Sequence, residues 1–152
     1  MKINYILPGI FKSGGTRILF EYANLLTSLG HDVCIYYPIL PQDFYRKSYT
    51  LFRVKRYLQF VVDNIKNIIK KNYYEHKFTL KPILFLNEYF IRNADFIIAT
   101  AWPTAFFVNS LDKKKGIKVY FIQDYENWNA NEKLVNKSYQ LPLNQITISK
   151  YL

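Results

Sequence analysis

Apolar positions along this chain follow two spacings, short continuous runs and longer stretches of helical period. Ile3 to Leu7 is an apolar run closed by Pro8-Gly9, which reads as a buried strand followed by a turn. After the small polar stretch Lys12-Ser13-Gly14-Gly15-Thr16 come Ile18, Leu19, Tyr22, Ala23, Leu25, Leu26 and Leu29, spaced for a helix with one broad apolar face. Gly30 is a helix stop. His31-Asp32 leads into Val33-Cys34-Ile35-Tyr36-Tyr37, a second strand closed by Pro38. A strand, loop, helix and strand in so short a span imply two parallel strands joined by a right-handed crossover.

Residues 42–50 read as loop. From Leu51 to Lys71 the pattern is helical, with Leu51, Val54, Leu58, Val61, Val62, Ile65, Ile68 and Ile69 on one stripe. Phe96 to Thr100 is a third strand, and Pro103 suits the first turn of a helix running to about Leu111. Lys113-Lys114-Lys115-Gly116 reads as an exposed turn, Ile117 to Ile122 as a fourth strand and Gln145 to Ile148 as a fifth. Ser149 is placed to cap a helix that the sequence does not complete, which implies a piece of something longer. The alternation predicts one α/β domain over residues 1–152: an open, mostly parallel sheet with helices on both faces.

Composition narrows the class. Of the 152 residues half are apolar, and Gly and Pro are sparse, which excludes fibrous and low-complexity chains. The single cysteine, Cys34, lies in an apolar strand and reads as a small buried hydrophobe. One cysteine makes no internal disulfide, which fits a reducing compartment. No run approaches the roughly 18 apolar residues of a membrane span, and Ile3 to Leu7 is too short for a signal-peptide core. A soluble cytoplasmic domain is expected. The net charge is +10 and unevenly spread: Arg46 to Lys81 holds ten Lys and Arg against Asp63 and Glu75. Such a balance admits nucleic acid, an anionic membrane surface or a phosphorylated substrate as partner.

Three loops carry candidate chemistry. Ser13-Gly14-Gly15-Thr16 sits at the carboxyl end of the first strand and opens the first helix. Glycines there let a ligand approach the backbone, and a helix start offers free N–H groups to a phosphate. The alternative is that both glycines only make a tight turn. The loop is neither a dinucleotide fingerprint nor a phosphate loop with Gly-Lys-Ser/Thr. Thr100-Ala101-Trp102-Pro103-Thr104 and Gln123-Asp124-Tyr125-Glu126-Asn127-Trp128 follow the third and fourth strands, so all three loops share one edge. Aromatic faces, hydroxyls, an amide and carboxylates suit sugar rings; the alternative is a core Trp102 beside solvated turn carboxylates. On the helix at 51–71, Arg53, Lys55, Arg56, Lys66, Lys70 and Lys71 flank the apolar stripe. That helix either covers the sheet with a solvated basic flank or docks on an anionic membrane surface. No nucleic-acid-binding motif is recognisable.

SGGTRILFEYANLLTSLGHDV resembles the opening of GT-B glycosyltransferases of the retaining family 4, through Gly14, Gly15, Arg17, Glu21, Ala23, Gly30, His31, Asp32 and Val33. ATAWPTAFFV and KVYFIQDYENW resemble a subset that includes rhamnosyltransferases of surface-polysaccharide assembly. The resemblance implies a Rossmann-like, acceptor-side amino-terminal domain whose donor-binding partner domain is absent from this chain. It implies donor-phosphate contacts at Gly14, Gly15 and Thr16, and acceptor contacts at Trp102, Thr104, Gln123, Asp124, Tyr125 and Glu126. His31 is then a turn residue. Better-known members carry a His near the position of Gln123-Asp124, so no catalytic residue is carried over. The expected partners are a nucleotide sugar, a glycan or lipid-linked acceptor and an anionic membrane surface at the cytoplasmic face; no cofactor, metal or nucleic acid is expected. The expected activity is hexosyl transfer within a longer protein, with this chain alone inactive. The rival readings are a non-catalytic module that docks a partner or membrane, and a lipid- or nucleic-acid-binding protein.

Overall fold

The computed structural model describes residues 1–40, 58–66, 74–126 and 132–150. Within them lie β1 (Lys2–Ile6), β2 (Asp32–Pro38), β3 (Thr79–Ile83), β4 (Phe96–Ala99), β5 (Ile117–Ile122) and β6 (Asn144–Thr147). The helices are α1 (Gly14–Ser28), α2 (described over residues 58–66), α3 (Trp102–Ser110) and α4 (Glu132–Tyr139). The six strands form one sheet of order β3-β2-β1-β4-β5-β6, and every neighbouring pair is parallel. The expected α/β class is the one observed, with the sheet parallel throughout.

Successive strand residues point to opposite faces, and both faces are buried. Tyr5, Leu7, Ile35, Tyr37, Ile98 and Phe121 face α1, which contributes Leu19, Phe20 and Ala23. Ile6, Cys34, Tyr36, Ile97, Ala99 and Tyr120 face the other way, against Ala105 and Val108 of α3. Cys34 is a buried free thiol, as its apolar setting predicts. β1 to β4 thus read as near-continuous apolar runs, except β3. The sequence Thr-Leu-Lys-Pro-Ile is mostly exposed, and Pro82 is tolerated because β3 is an edge strand.

Polar groups lock the amino edge of the sheet. Arg92 forks onto Asp32 at 2.7 and 2.9 Å, and its Nε donates to Oδ1 of the fully buried Asn4. Asn4 returns a bond to the Arg92 carbonyl, and the Arg92 N–H donates to Tyr36 Oη. The Arg92 guanidinium holds the Asp32 carboxyl below its ordinary range. The predicted exposed turn at Lys113–Gly116 needs correction: it is a 3-10 turn in which Lys115 is buried. Its Nζ donates to the carbonyls of Glu88 and Ile91, which satisfies the ammonium inside the fold. Gly116 has φ +115, and a Cβ there would lie 2.6 Å from the Ala94 carbonyl oxygen.

α1 ends in a left-handed glycine, Gly30 at φ +84, whose N–H donates to Thr27 O while the His31 N–H donates to Leu26 O. This pair of bonds closes the helix, and His31 takes part through its backbone. The described part of α2 does not bury the whole of its apolar stripe. Leu58, Val62 and Ile65 face solvent, whereas Asn64 is buried and Phe60 packs over Gly9. Leu51, Val54, Ile68 and Ile69 lie outside the described residues. Among the described residues no helix is long and apolar enough to cross a membrane.

Candidate functional site

β1 and β4 lie side by side, yet the helices that follow them leave to opposite faces: α1 to one, α3 to the other. Such a divergence opens a crevice at the carboxyl ends of the strands. Thr100 ties its floor together by donating from Oγ1 to the Ile6 carbonyl at 3.0 Å. A cleft of about 940 Å³ lies there, bounded by the starts of α1 and α3 and by the loop after β5.

On one wall, α1 begins within the predicted loop: Gly14, Gly15 and Thr16 form its first turn, and Ser13 is the N-cap. Ser13 Oγ accepts the Thr16 N–H at 3.2 Å, and the two hydroxyl oxygens are 3.1 Å apart. The first turn holds no acid, so the partial positive charge of the helix start is uncompensated. A Cβ at Gly14 would meet nothing within 4 Å, so this glycine leaves open space. Gly15 differs: a Cβ there would lie 3.1 Å from Gln123 Oε1. The bare Cα of Gly15 is therefore needed by Gln123, while Gly14 leaves backbone open to a ligand. Gln123 Oε1 is itself buried and accepts no hydrogen bond from the described residues.

On the facing wall, α3 begins at Trp102 with Ala101 as N-cap, a residue with no side-chain acceptor. Two other residues replace that cap. Thr104 Oγ1 accepts the N–H groups of Thr100 and Ala101, each at 3.1 Å, and donates to Ala101 O at 2.8 Å. Glu126 Oε2 accepts the Trp102 N–H at 2.9 Å. Burial pushes the Glu126 carboxyl up to about 7; the Trp102 N–H opposes this and the nearby Asp124 charge adds to it. The same carboxyl raises the phenols of Tyr120 and Tyr139, for which burial is the larger cause.

Of the predicted site residues, Gly14, Gly15, Thr16, Trp102, Gln123, Asp124 and Glu126 line this cleft together. Thr104 does not: it is fully buried beneath the α3 start, and its hydroxyl is used up by the backbone. Tyr125 also turns away, stacking on Tyr139 and donating to Asn136 Oδ1 at 3.0 Å. Of the basic residues, Lys66 is exposed at the end of described α2, and Arg53, Lys55, Arg56, Lys70 and Lys71 lie outside the described residues. Sequence reasoning missed the apolar walls, chiefly Phe11, Ile18 and Ile148. Phe11 is half exposed and rests tilted against Phe60, with ring centroids 5.7 Å apart. A Phe three residues after Pro8 was the available signal for it, and Ile148 ends the predicted fifth strand on the same edge as the three loops.

The cleft therefore has an N–H pole at α1, a carboxylate pole at Asp124 and Glu126, and apolar sides. A ligand with an anionic end and a ring bearing hydroxyls on an apolar face matches that distribution. Comparison with known proteins finds no matching family model, no matching curated sequence and no matching solved structure.

Proposed function

We propose that this chain is the acceptor-side domain of a glycosyltransferase. It moves a glycosyl group from a nucleoside diphosphate sugar to a hydroxyl of a glycan or lipid-linked acceptor in cell-surface polysaccharide synthesis. The observation that carries the reading is the pairing of poles in one cleft: an acid-free helix start at Gly14–Thr16 opposite Trp102, Gln123, Asp124 and Glu126. In this reading the α1 N–H groups meet donor phosphate, and Trp102 with the carboxylates meets sugar hydroxyls and C–H faces. The family resemblance of the glycine segment and of the Gln123–Trp128 segment points the same way. The separate domain that the resemblance implies would bind most of the donor.

Amide chemical-shift mapping on residues 1–152 tests this. A nucleoside diphosphate sugar should bind weakly, in the millimolar range, and move the amides of Gly14, Gly15 and Thr16 most. An oligosaccharide should move Trp102 and its neighbours. Shifts confined to other surfaces would overturn the reading. Micromolar donor binding would contradict its division of labour, because a complete donor site would then lie in this domain.

A second reading, docking on an anionic membrane, is favoured by one observation: Leu58, Val62 and Ile65 of α2 face solvent on one stripe beside exposed Lys66. Docking predicts cosedimentation with anionic but not neutral liposomes, weakening with salt. Equal binding to both liposome types, or none, would remove it.

A further inference from the structure

Glu126 joins two loops. Its carboxyl, on the loop after β5, accepts the backbone N–H of Trp102, the first residue of α3. Both loops line the cleft that α1 borders, so this bond sets where the Trp102 wall stands. The titratable groups facing the carboxyl are Asp124 on its own loop, Tyr120 on β5 and Tyr139 on α4. None of these supplies positive charge; the α3 start contributes only a partial one. An ionised carboxyl partly withdrawn from water is best served by several donors or a cation, and here one N–H serves it among the described residues. The neutral acid suits the pocket, and the carboxylate suits water.

We propose that Glu126 is a proton-operated positioning residue: as the neutral acid it stays tucked against the start of α3 and holds the Trp102 wall, and as the carboxylate it turns to solvent and lets the cleft widen. The only covalent change is loss of the carboxyl proton to water. The neutral acid keeps an acceptor oxygen for the Trp102 N–H, so protonation does not remove the tie. The tucked carboxyl titrates near 7, whereas a solvent-facing one titrates near its ordinary 4.5. The tucked state thus holds the proton more tightly. Acid favours it, and its advantage is lost as pH rises from the ordinary value through about 7. The inference does not depend on which ligand the cleft takes.

The test uses residues 1–152 with no ligand. Carbon-detected NMR follows the Glu126 carboxyl from pH 5 to 9 while hydrogen exchange follows the Trp102 backbone amide, each rate divided by its intrinsic value at that pH. Trp102 protection should fall at least tenfold across the range, with a midpoint near 7 that tracks Glu126, while amides in the middle of β4 stay unchanged. Glu126→Gln keeps an acceptor oxygen and has no proton to lose, so its Trp102 protection should stay flat within twofold. Flat protection in the wild type overturns the proposal, as does a fall that persists in Glu126→Gln. Titration of Glu126 in the ordinary carboxyl range overturns it too, and that measurement decides the matter even if the Gln variant fails to fold.

Discussion

The starts of α1 and α3 differ in the way the cleft requires. Both helices leave adjacent strands at the same edge, and both begin with a polar or small residue followed by a short turn. α3 is closed by the protein itself: Thr104 takes two backbone N–H groups, and Glu126 takes a third and brings an acidic group there beside the charge of Asp124. α1 is capped lightly by a neutral hydroxyl, holds no acid in its first turn, and keeps open space at Gly14. One helix start is consumed by structure and the other is left available. An anionic ligand entering this cleft would meet repulsion at the first and free donors at the second.

Four measurements test that contrast. The largest effect belongs to Thr104→Val. Valine keeps the shape but strips the acceptor from two buried N–H groups, so stability should fall by about 2–4 kcal/mol, with Thr104→Ser near wild type. Chemical denaturation checks this; a loss under 1 kcal/mol would mean that the α3 start is not closed as described. Next is Glu126→Gln, whose effect should depend on pH. Because the carboxyl is pushed up to about 7, the folded state disfavours its ionised form. The variant should match wild type near pH 4.5 and gain about 1–3 kcal/mol over it at pH 8. A variant less stable than wild type at pH 8 would reverse the assigned sign.

Ser13→Ala removes the light cap on α1 and should cost about 1 kcal/mol. A cost as large as that of Thr104→Val would erase the contrast. The smallest stability effect is expected at Gly14. Alanine there meets nothing within 4 Å and improves helix propensity, so thermal unfolding should show a gain of about 0.5–1 kcal/mol. The added methyl stands where a ligand would reach the backbone, so nucleotide-sugar shifts at Gly15 and Thr16 should disappear. A stable Gly14→Ala variant that keeps those shifts would detach the glycine from binding. Gly15 is the poorer probe, since a side chain there strikes Gln123 first.

Much of the fold was legible because parallel strands buried on two faces must be apolar throughout. β1, β2, β4 and β5 announce themselves in this way, to within a residue or two at their ends. β3 was missed because an edge strand can keep Lys81 and Pro82, and α4 because Glu132–Tyr139 carries few apolar residues. The orientation of α2 stayed open in the sequence for a related reason. A helical stripe states that one face is apolar, not which face meets the sheet, and here Phe60 and Asn64 turn inward instead.

Local sequence thus specified the α/β class, five of the six strands and the one edge on which three loops converge. These follow from local rules: apolar runs make buried strands, and every strand-to-helix loop of a parallel sheet opens at the carboxyl end. Tertiary structure decided which residues of those loops face the cleft. Thr16 and Thr104 are both early residues of helices that follow buried strands. Thr16 lines the cleft, while Thr104 is buried to serve the backbone under α3. Lys115, in a run of three lysines, lies inside the fold because two carbonyls from a distant turn wait for it there. Glu126 acquires its raised carboxyl through burial, to which the Asp124 charge adds, although the Trp102 N–H opposes it. Thr104 serves its own turn, but Lys115 and Glu126 meet backbone groups at least 24 residues away, and no local pattern of apolar and polar residues records where such a partner will be.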